Sequence, residues 1–311
     1  GLSSAQRRIV EEEFIAGKLS TICATPTLAA GVNVPAFRVI IRDLHRFEGY
    51  MTEIPVLDYR QMSGRAGRPD FHDDFGEAIT IAKSPGDGAW IEDRYWNGEP
   101  EPIYSKLSNL SALRAAVLSL YATRFVRSRP DLYAFFAKTF FAHQYGNTAK
   151  LEEKLVEVEI QLQSWGFLSG VGAATSATPL GRRVSMLYID PYSASLLIAG
   201  IASKKPRTDA AVAHLLCSCI ELRPLLRLKT SDFVNADAAI ETLLPEPSMF
   251  SAEYEEFLQA AKTAAMLSKW MDESPEENIL AEYGVRPGEL KAKLDTADWL
   301  LYSMSELAQL L

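Results

Sequence analysis

A multidomain chain, α/β with a parallel sheet at its start and all-α after it, is the fold class the sequence predicts. Three observations predict it. Up to residue 84, near-continuous apolar, β-branched stretches alternate with helical patterns, as in strands covered by crossover helices. From Leu107 onward apolar residues recur three and four apart, and prolines interrupt them at short intervals, as in a bundle of short helices. The 311 residues, 48% hydrophobic and 23% charged, are also too many for one ordinary core.

Charge narrows the function classes. A net charge of −8 and a pI near 5.2 argue against holding nucleic acid by bulk positive potential. Basic residues cluster locally at Arg38/Arg42/Arg46, Arg182/Arg183 and Arg223/Arg227/Lys229, and each cluster alone reads as a solvated face. No apolar run approaches the roughly 18 residues of a membrane span, and Gly1 to Arg8 holds no signal-peptide core. A soluble chain without a membrane partner is expected. Three cysteines predict a reducing compartment, the cytoplasm, rather than a disulfide framework.

Ser3 and Gln6 form a capping box, and Ile9, Val10, Phe14 and Ile15 give a helical stripe closed by Gly17. Leu19 to Thr25 reads as a strand, residues 26–35 as a loop with small residues, and Phe37 to Ile41 as a second strand. Two extended runs around His45-Arg46-Phe47-Glu48-Gly49-Tyr50-Met51 predict a hairpin with an aromatic tip. Gln61-Met62-Ser63-Gly64-Arg65-Ala66-Gly67-Arg68-Pro69, read as helical, puts Gln61, Arg65 and Arg68 on one face. Gly64 and Gly67 then admit a close surface, and a guanidinium fork suits a phosphate. A solvated helix end is the plainer alternative for an isolated Arg-x-x-Arg. A last strand follows at Glu77 to Ala82. A complete sheet of this kind has strands before Ser3, which predicts that the chain is part of a longer one.

Residues 85–102 form a linker, and Trp90, Tyr95 and Trp96 predict that it packs along the first domain. Residues 103–185 give helical stripes at Leu107 to Leu120, Leu132 to Phe140 and Leu151 to Leu162, then a Gly/Ala/Ser/Thr stretch able to form two short strands. Three helices and a small hairpin describe a winged helix. Glu152, Glu153, Glu157 and Glu159 on its third helix argue against a DNA-reading surface there. The Phe135, Phe136, Phe140, Phe141 run has core spacing. Residues 186–311 form the final bundle, in which His214, Cys217 and Cys219 read as core, not as metal ligands. On the last helix, at about 100° per residue, Leu290, Leu294, Ala297, Leu301, Met304 and Ala308 share a stripe and Trp299 falls opposite, free to pack elsewhere or to stack.

The Thr25 to Pro35 stretch followed by the Gln61 to Pro69 stretch resembles motifs V and VI of superfamily-two helicases of the Ski-two-like branch. Across almost its whole length the chain is similar to the archaeal Hel308 repair helicases, relatives of the polymerase-theta helicase domain. The resemblance implies a partial RecA-like domain over residues 1–84, a winged helix over 103–185 and a helical ratchet bundle over 186–311. It assigns Gln61, Arg65 and Arg68 to the ATP γ-phosphate as catalytic groups, Gly31, Asn33 and Gly64 to the nucleotide side, and Thr27 and Leu28 to the nucleic-acid backbone. It makes the hairpin with Arg46, Phe47 and Tyr50 a duplex wedge and brings Arg8 to the DNA. Trp299 matches the family's stacking tryptophan, while the basic grip two turns earlier falls on Ala292, leaving Lys291 or Lys293 beside it.

No Gly-x-x-x-x-Gly-Lys-[Ser/Thr] loop and no strand-end Asp-Glu pair occurs in the sequence. ATP and Mg2+ are therefore expected in the full-length protein, with none bound by this chain alone, and an N-terminal RecA-like domain is its expected partner in cis. The expected activity is that of an ATP-dependent 3′-to-5′ helicase on single-stranded and forked duplex DNA. An RNA helicase of the same branch and a non-catalytic winged-helix adaptor are the alternatives.

Overall fold

The computed structural model describes residues 4–25, 34, 36–47, 51–67, 74–146, 148–170, 175–229 and 240–311. Ser3, Thr27, Leu28, Gly31, Asn33, Tyr50, Arg68 and Pro69 lie outside them. The chain divides into two compact units, Gly1–Ile103 and Tyr104–Leu311.

The first unit opens with α1 (Ser4–Ile15), stopped at Gly17 with φ 72°. Its expected stripe is only partly covered, since Ile9 and Ile15 stay exposed. Leu19 to Thr25 forms no strand, because no neighbouring strand among the described residues offers it a ladder. β1 (Arg38–Ile41) pairs in parallel with β4 (Glu77–Thr80), Arg38 opposite Glu77 and Ile41 opposite Thr80. Arg38 Nε donates to Glu77 across that register at 2.6 Å. The strands read as buried on both faces, yet Ile40 and Ile79 are exposed and only Ile41 is buried. A two-stranded sheet covered on one side leaves its other side open.

Between them come β2 (His45–Phe47) and β3 (Met51–Glu53), antiparallel with Arg46 opposite Thr52, and then α2 (Val56–Ser63). The expected linker is ordered. It forms α3 (Pro85–Ile91), capped by Ser84, and a π-helical turn at Glu92–Trp96. Its aromatics explain why. Tyr95 is buried, donates to the Ile54 carbonyl at 2.9 Å and stacks near Tyr59 at 4.8 Å, while Trp96 Nε1 donates to the Tyr59 hydroxyl at 2.8 Å. Ile41, Leu44, Ile54, Val56, Tyr59, Ile91 and Tyr95 make one small core.

The second unit starts with α4 (Leu110–Ala122), α5 (Arg129–Phe136), α6 (Phe140–Tyr145) and α7 (Thr148–Ser164). The phenylalanine run divides between two helices because Thr139 caps a new one, accepting from Ala142 N. Phe136 and Phe141 are core, whereas Phe140 is exposed. β5 (Leu168–Ser169) and β6 (Ser176–Ala177) form a short antiparallel ladder. Then come α8 (Pro179–Leu187), α9 (Pro191–Ala202), α10 (Asp209–Cys217), α11 (Glu253–Met271), α12 (Glu276–Tyr283) and α13 (Pro287–Ala308). Thr178 and Asp190 each cap a helix that begins with proline, the residue suited to a first turn whose N–H is unpaired anyway. One buried cluster runs from Leu113 to Leu307, so the helices before and after β6 share a core. No single helix among the described residues is long and apolar enough to cross a membrane.

Glu159 is not a surface acid on α7. It is fully buried, taking Tyr121 Oη at 2.5 Å and Arg129 Nε at 2.6 Å; burial and this carboxylate push the Tyr121 hydroxyl pKa up. Glu152, Glu153 and Glu157 are exposed, as expected. Cys217 and Cys219 are buried, and burial raises the Cys217 thiol to about 12. The described residues hold no cluster of potential metal ligands.

His214 sits in the same core, edge-on to Phe257 at 4.7 Å, with Nε2 3.3 Å from the Phe257 carbonyl and Nδ1 without a partner among the described residues. Burial, with Lys205 adding to it, lowers the imidazole pKa against that carbonyl's opposing pull. The unfolded chain then takes up a proton at about pH 6.5 that the folded chain resists. Stability is fully present above that pH and falls as pH drops through the lower folded value. Urea midpoints at about pH 7.5 and about pH 5 should separate more for the native chain than for His214→Leu; equal separations would remove His214 as the cause.

Candidate nucleotide and nucleic-acid interface

The arginine stretch does not continue as a helix. α2 ends at Ser63, Gly64 caps it at φ −68°, ψ 0°, and Arg65 N bonds back to Met62 O at 3.2 Å. Ala66 then bridges Ala36 in parallel, and Gly67 N donates to Ala36 O at 3.0 Å. Gln61 therefore lies on the exposed last turn, while half-buried Arg65 belongs to a turn at the amino ends of β1 and β4. The expected single helical row of Gln61 and Arg65 is replaced by a helix end and a turn. Past the helix end, Gly67 carries the chain tight against Gly76. Its φ is 65°, and a Cβ there would lie 2.4 Å from Gly76 N, so the glycine serves a backbone crossing inside the unit rather than a ligand. Gly64 is tight as well, with its would-be Cβ 3.0 Å from Arg60 O.

Residues outside the motif hold α2 in place. Its N-terminal residue Pro55 offers no side-chain cap; Glu101 supplies one from the far end of the linker, accepting from Val56 N at 2.8 Å and Leu57 N at 3.3 Å. Desolvation opposes ionisation of Glu101, yet these bonds hold its pKa below the usual range. Arg60 Nη2 reaches Gly98 O at 2.7 Å, and Tyr59 bonds Thr80 at 2.9 Å. Sequence reasoning missed Glu101, whose distance along the chain leaves no local signal.

The hairpin forms with a shorter span than expected, because Ile40 and Ile41 belong to the parallel sheet. Arg46 Nη1 pairs with Asp58 at 2.7 Å, partly buried, and so ties the hairpin to α2. Phe47 lies opposite Met51 in the ladder. At the start of the unit Arg8 is exposed and 3.7 Å from Glu12.

On α13 the buried positions are Leu290, Lys293, Leu300, Ser303 and Leu307, with Leu294, Ala297 and Met304 partly covered. The stripe is rotated from the expected one, and Leu301 is exposed. Leu300 and Leu307, both fully buried, lie on the rotated side, and so does Lys293. Its stem is buried and its ammonium donates to the carbonyls of Leu222 and Pro224, at 3.2 and 2.5 Å, with burial lowering its pKa. The Lys293 ammonium is thus committed to carbonyls inside the unit. Lys291 is exposed and pairs with Asp295 at 3.0 Å. Trp299 flanks the buried stripe instead of opposing it. Its Nε1 donates to Leu187 O at 3.2 Å while the residue stays 36% exposed, so the indole is anchored at one edge and open elsewhere. Glu306, on the same helix, is paired with Arg183 of α8, which removes one negative charge from the tryptophan's surroundings.

A buried polar cluster was not legible in the sequence. Asp190 caps α9 through Tyr192 N at 2.7 Å, accepts from Ser111 Oγ and faces the Arg114 guanidinium at 3.3 Å. Arg114 also lies over the Trp165 and Tyr192 rings, at 5.9 and 5.7 Å. Glu221 completes the cluster, accepting from Asp190 N at 2.7 Å and Ser193 Oγ at 2.6 Å.

Two family models match the chain, helicase conserved C-terminal domain over residues 1–70 and archaeal helicase, domain 4, over 210–311. The chain is 40% identical, over its full length, to a protein of Methanocella arvoryzae named ATP-dependent DNA helicase Hel308, 43% of which it covers. Proteins of the same name from Pyrococcus abyssi and Pyrobaculum calidifontis are each 37% identical over the whole chain, which covers 44% and 43% of them. The chain therefore spans less than half the length of these curated relatives.

Proposed function

The chain is a relative, along its whole length, of the archaeal Hel308 helicases, and from that premise we propose that it forms part of an ATP-dependent 3′-to-5′ DNA helicase acting on forked or branched DNA in repair. The observation that carries this is the order of the two family matches, the helicase C-terminal domain first and the archaeal domain 4 last. In this reading residues 1–84 belong to a RecA-like domain that lends Gln61, Arg65 and Arg68 to the nucleotide. The β2–β3 hairpin, with Arg46, Phe47 and Tyr50, separates the duplex. Residues 103–185 are a winged helix, and residues 186–311 are the ratchet, with Trp299 stacking on the single strand and Lys291 beside it.

ATP with Mg2+ is the group this reading implies. A carboxamide on the last turn of α2 and a guanidinium in the turn after it are of the chemical kind that holds a phosphate, and nothing in the sequence supplies a phosphate loop or a magnesium carboxylate pair. Those groups are assigned to an N-terminal RecA-like domain in cis. Bound nucleotide supplies the free energy of hydrolysis; Gln61 and Arg65 orient and neutralise its terminal phosphate.

The test is duplex unwinding by the intact parent protein on forked DNA and on the matching RNA. Strand separation on DNA that requires ATP is expected, together with no ATP turnover by the 311-residue chain alone. A preference for RNA would sink the substrate assignment, and turnover by the chain alone would sink the division of labour.

A further inference from the structure

α8 ends in an unusual way. Its C-terminal residue, Tyr188, has φ 59° and ψ 17°, the left-handed conformation that glycine normally takes at this cap because a Cβ is disfavoured there. Among the described residues two other non-glycines share it, Arg124 and Glu273, whose charged side chains need no packing. Tyr188 is different, since its aromatic side chain is 87% exposed and makes no hydrogen bond or ring contact among the described residues. A strained cap that buries nothing is not explained by folding, and strain of this kind collects at functional sites.

Its position gives it a use. The carbonyl that anchors the Trp299 indole belongs to Leu187, the residue immediately before Tyr188. Two half-open or open aromatic side chains therefore flank one peptide. On the same helix, Arg182, Arg183 and the exposed Met186 line an open cleft of about 420 Å³ with Glu306, Gln309 and Leu310 of the last helix's end, where Arg183 pairs with Glu306 and Arg182 donates to the Ala177 carbonyl at 2.8 Å. Exposed aromatic faces set close along the chain are part of the equipment of a single-strand site, where bases stack with little regard to identity.

Resting on the ratchet reading of Trp299, we infer that Tyr188 is a second base-stacking residue, receiving a neighbouring base of the single-stranded DNA. The experiment is binding of a fluorescent oligo-dT by the 311-residue chain and its Tyr188→Gly, Tyr188→Phe and Trp299→Ala variants, with the urea midpoint of each. Tyr188→Gly should weaken binding at least about fivefold while its midpoint is unchanged or raised, because glycine suits the cap. Tyr188→Phe should bind as the native chain does. A lowered midpoint for Tyr188→Gly would make the residue structural and overturn the inference. Native binding by Tyr188→Gly, with Trp299→Ala weakened, overturns it and leaves the ratchet standing. No binding by the native chain, or none lost in Trp299→Ala, overturns both.

Discussion

Asp190→Ala should lower the stability of the second unit by about 3–5 kcal/mol, the cost of leaving a buried charge without its partner. Arg114 is 7% exposed, its Nε has no partner among the described residues, and its Nη2 faces both Asp190 oxygens at 3.3 and 3.4 Å. Those distances are long for a charge-assisted bond, which favours the lower half of the range. The same carboxylate caps α9 through Tyr192 N and takes Ser111 Oγ, and loss of a cap alone costs about 1 kcal/mol. Asp190→Asn keeps an oxygen for the cap but not the charge, so it should fall between native and alanine. Arg114→Met combined with Asp190→Asn should recover part of the loss, since the pair together is worth less than one buried member left alone. Urea unfolding reads all four. An alanine variant within about 0.5 kcal/mol of native, the usual range for a surface change, would show that the cluster is wetter or looser than its geometry indicates.

That cluster marks where sequence reading stops. The punctuation was legible: Thr178-Pro179 and Asp190-Pro191 combine a capping oxygen with a proline, and each opens a helix. A hairpin around His45 to Met51 and the parallel pair Arg38–Ile41 and Glu77–Thr80 were also visible, because period and turn residues are local signals; the hairpin's strands, expected at Ile40–Leu44 and Thr52–Leu57, fall on His45–Phe47 and Met51–Glu53 instead. Tertiary partners were not. Glu159 looked like a surface acid until Tyr121 and Arg129 closed over it. Lys293 looked like a free cation, yet it lies buried on the Leu300 and Leu307 side of α13, its ammonium held by the Leu222 carbonyl. Gln61 and Arg65 looked like one helical row, but the helix stops at Ser63 and the chain past it crosses Gly76 through Gly67, where there is no room for a Cβ. In each case a charge or a glycine answered to a residue distant in sequence, which no helical wheel contains. Of the candidate site, Trp299 is the residue whose surroundings the sequence half described: its separation from the main stripe was visible, its anchor at Leu187 was not.

Arg65→Ala in the intact parent should reduce DNA-stimulated ATP turnover by at least ~10³-fold if Arg65 acts on the transferring phosphoryl group, the lower bound for a fixed arginine at that position. The effect should fall on kcat more than on KM, because charge on the phosphoryl oxygens grows as the bond breaks and an arginine held there is worth most in the transition state. Being held is the condition, and the unit provides it. Arg65 follows a helix whose start is pinned by Glu101 and whose flank is pinned by Tyr59 and Arg60, and the chain leaves it through a glycine with no room for a Cβ. Arg65→Lys should recover little, since an ammonium does not reproduce the planar fork. Glu101→Gln should lie between, with turnover reduced through a less firmly placed turn and restored in part by Glu101→Asp if a carboxylate still reaches Val56 N. Circular dichroism and single-strand affinity on the same samples separate chemistry from folding. Near-native kcat in Arg65→Ala, with the fold intact, would assign the arginine to the unit's own packing and leave the phosphate to Arg68.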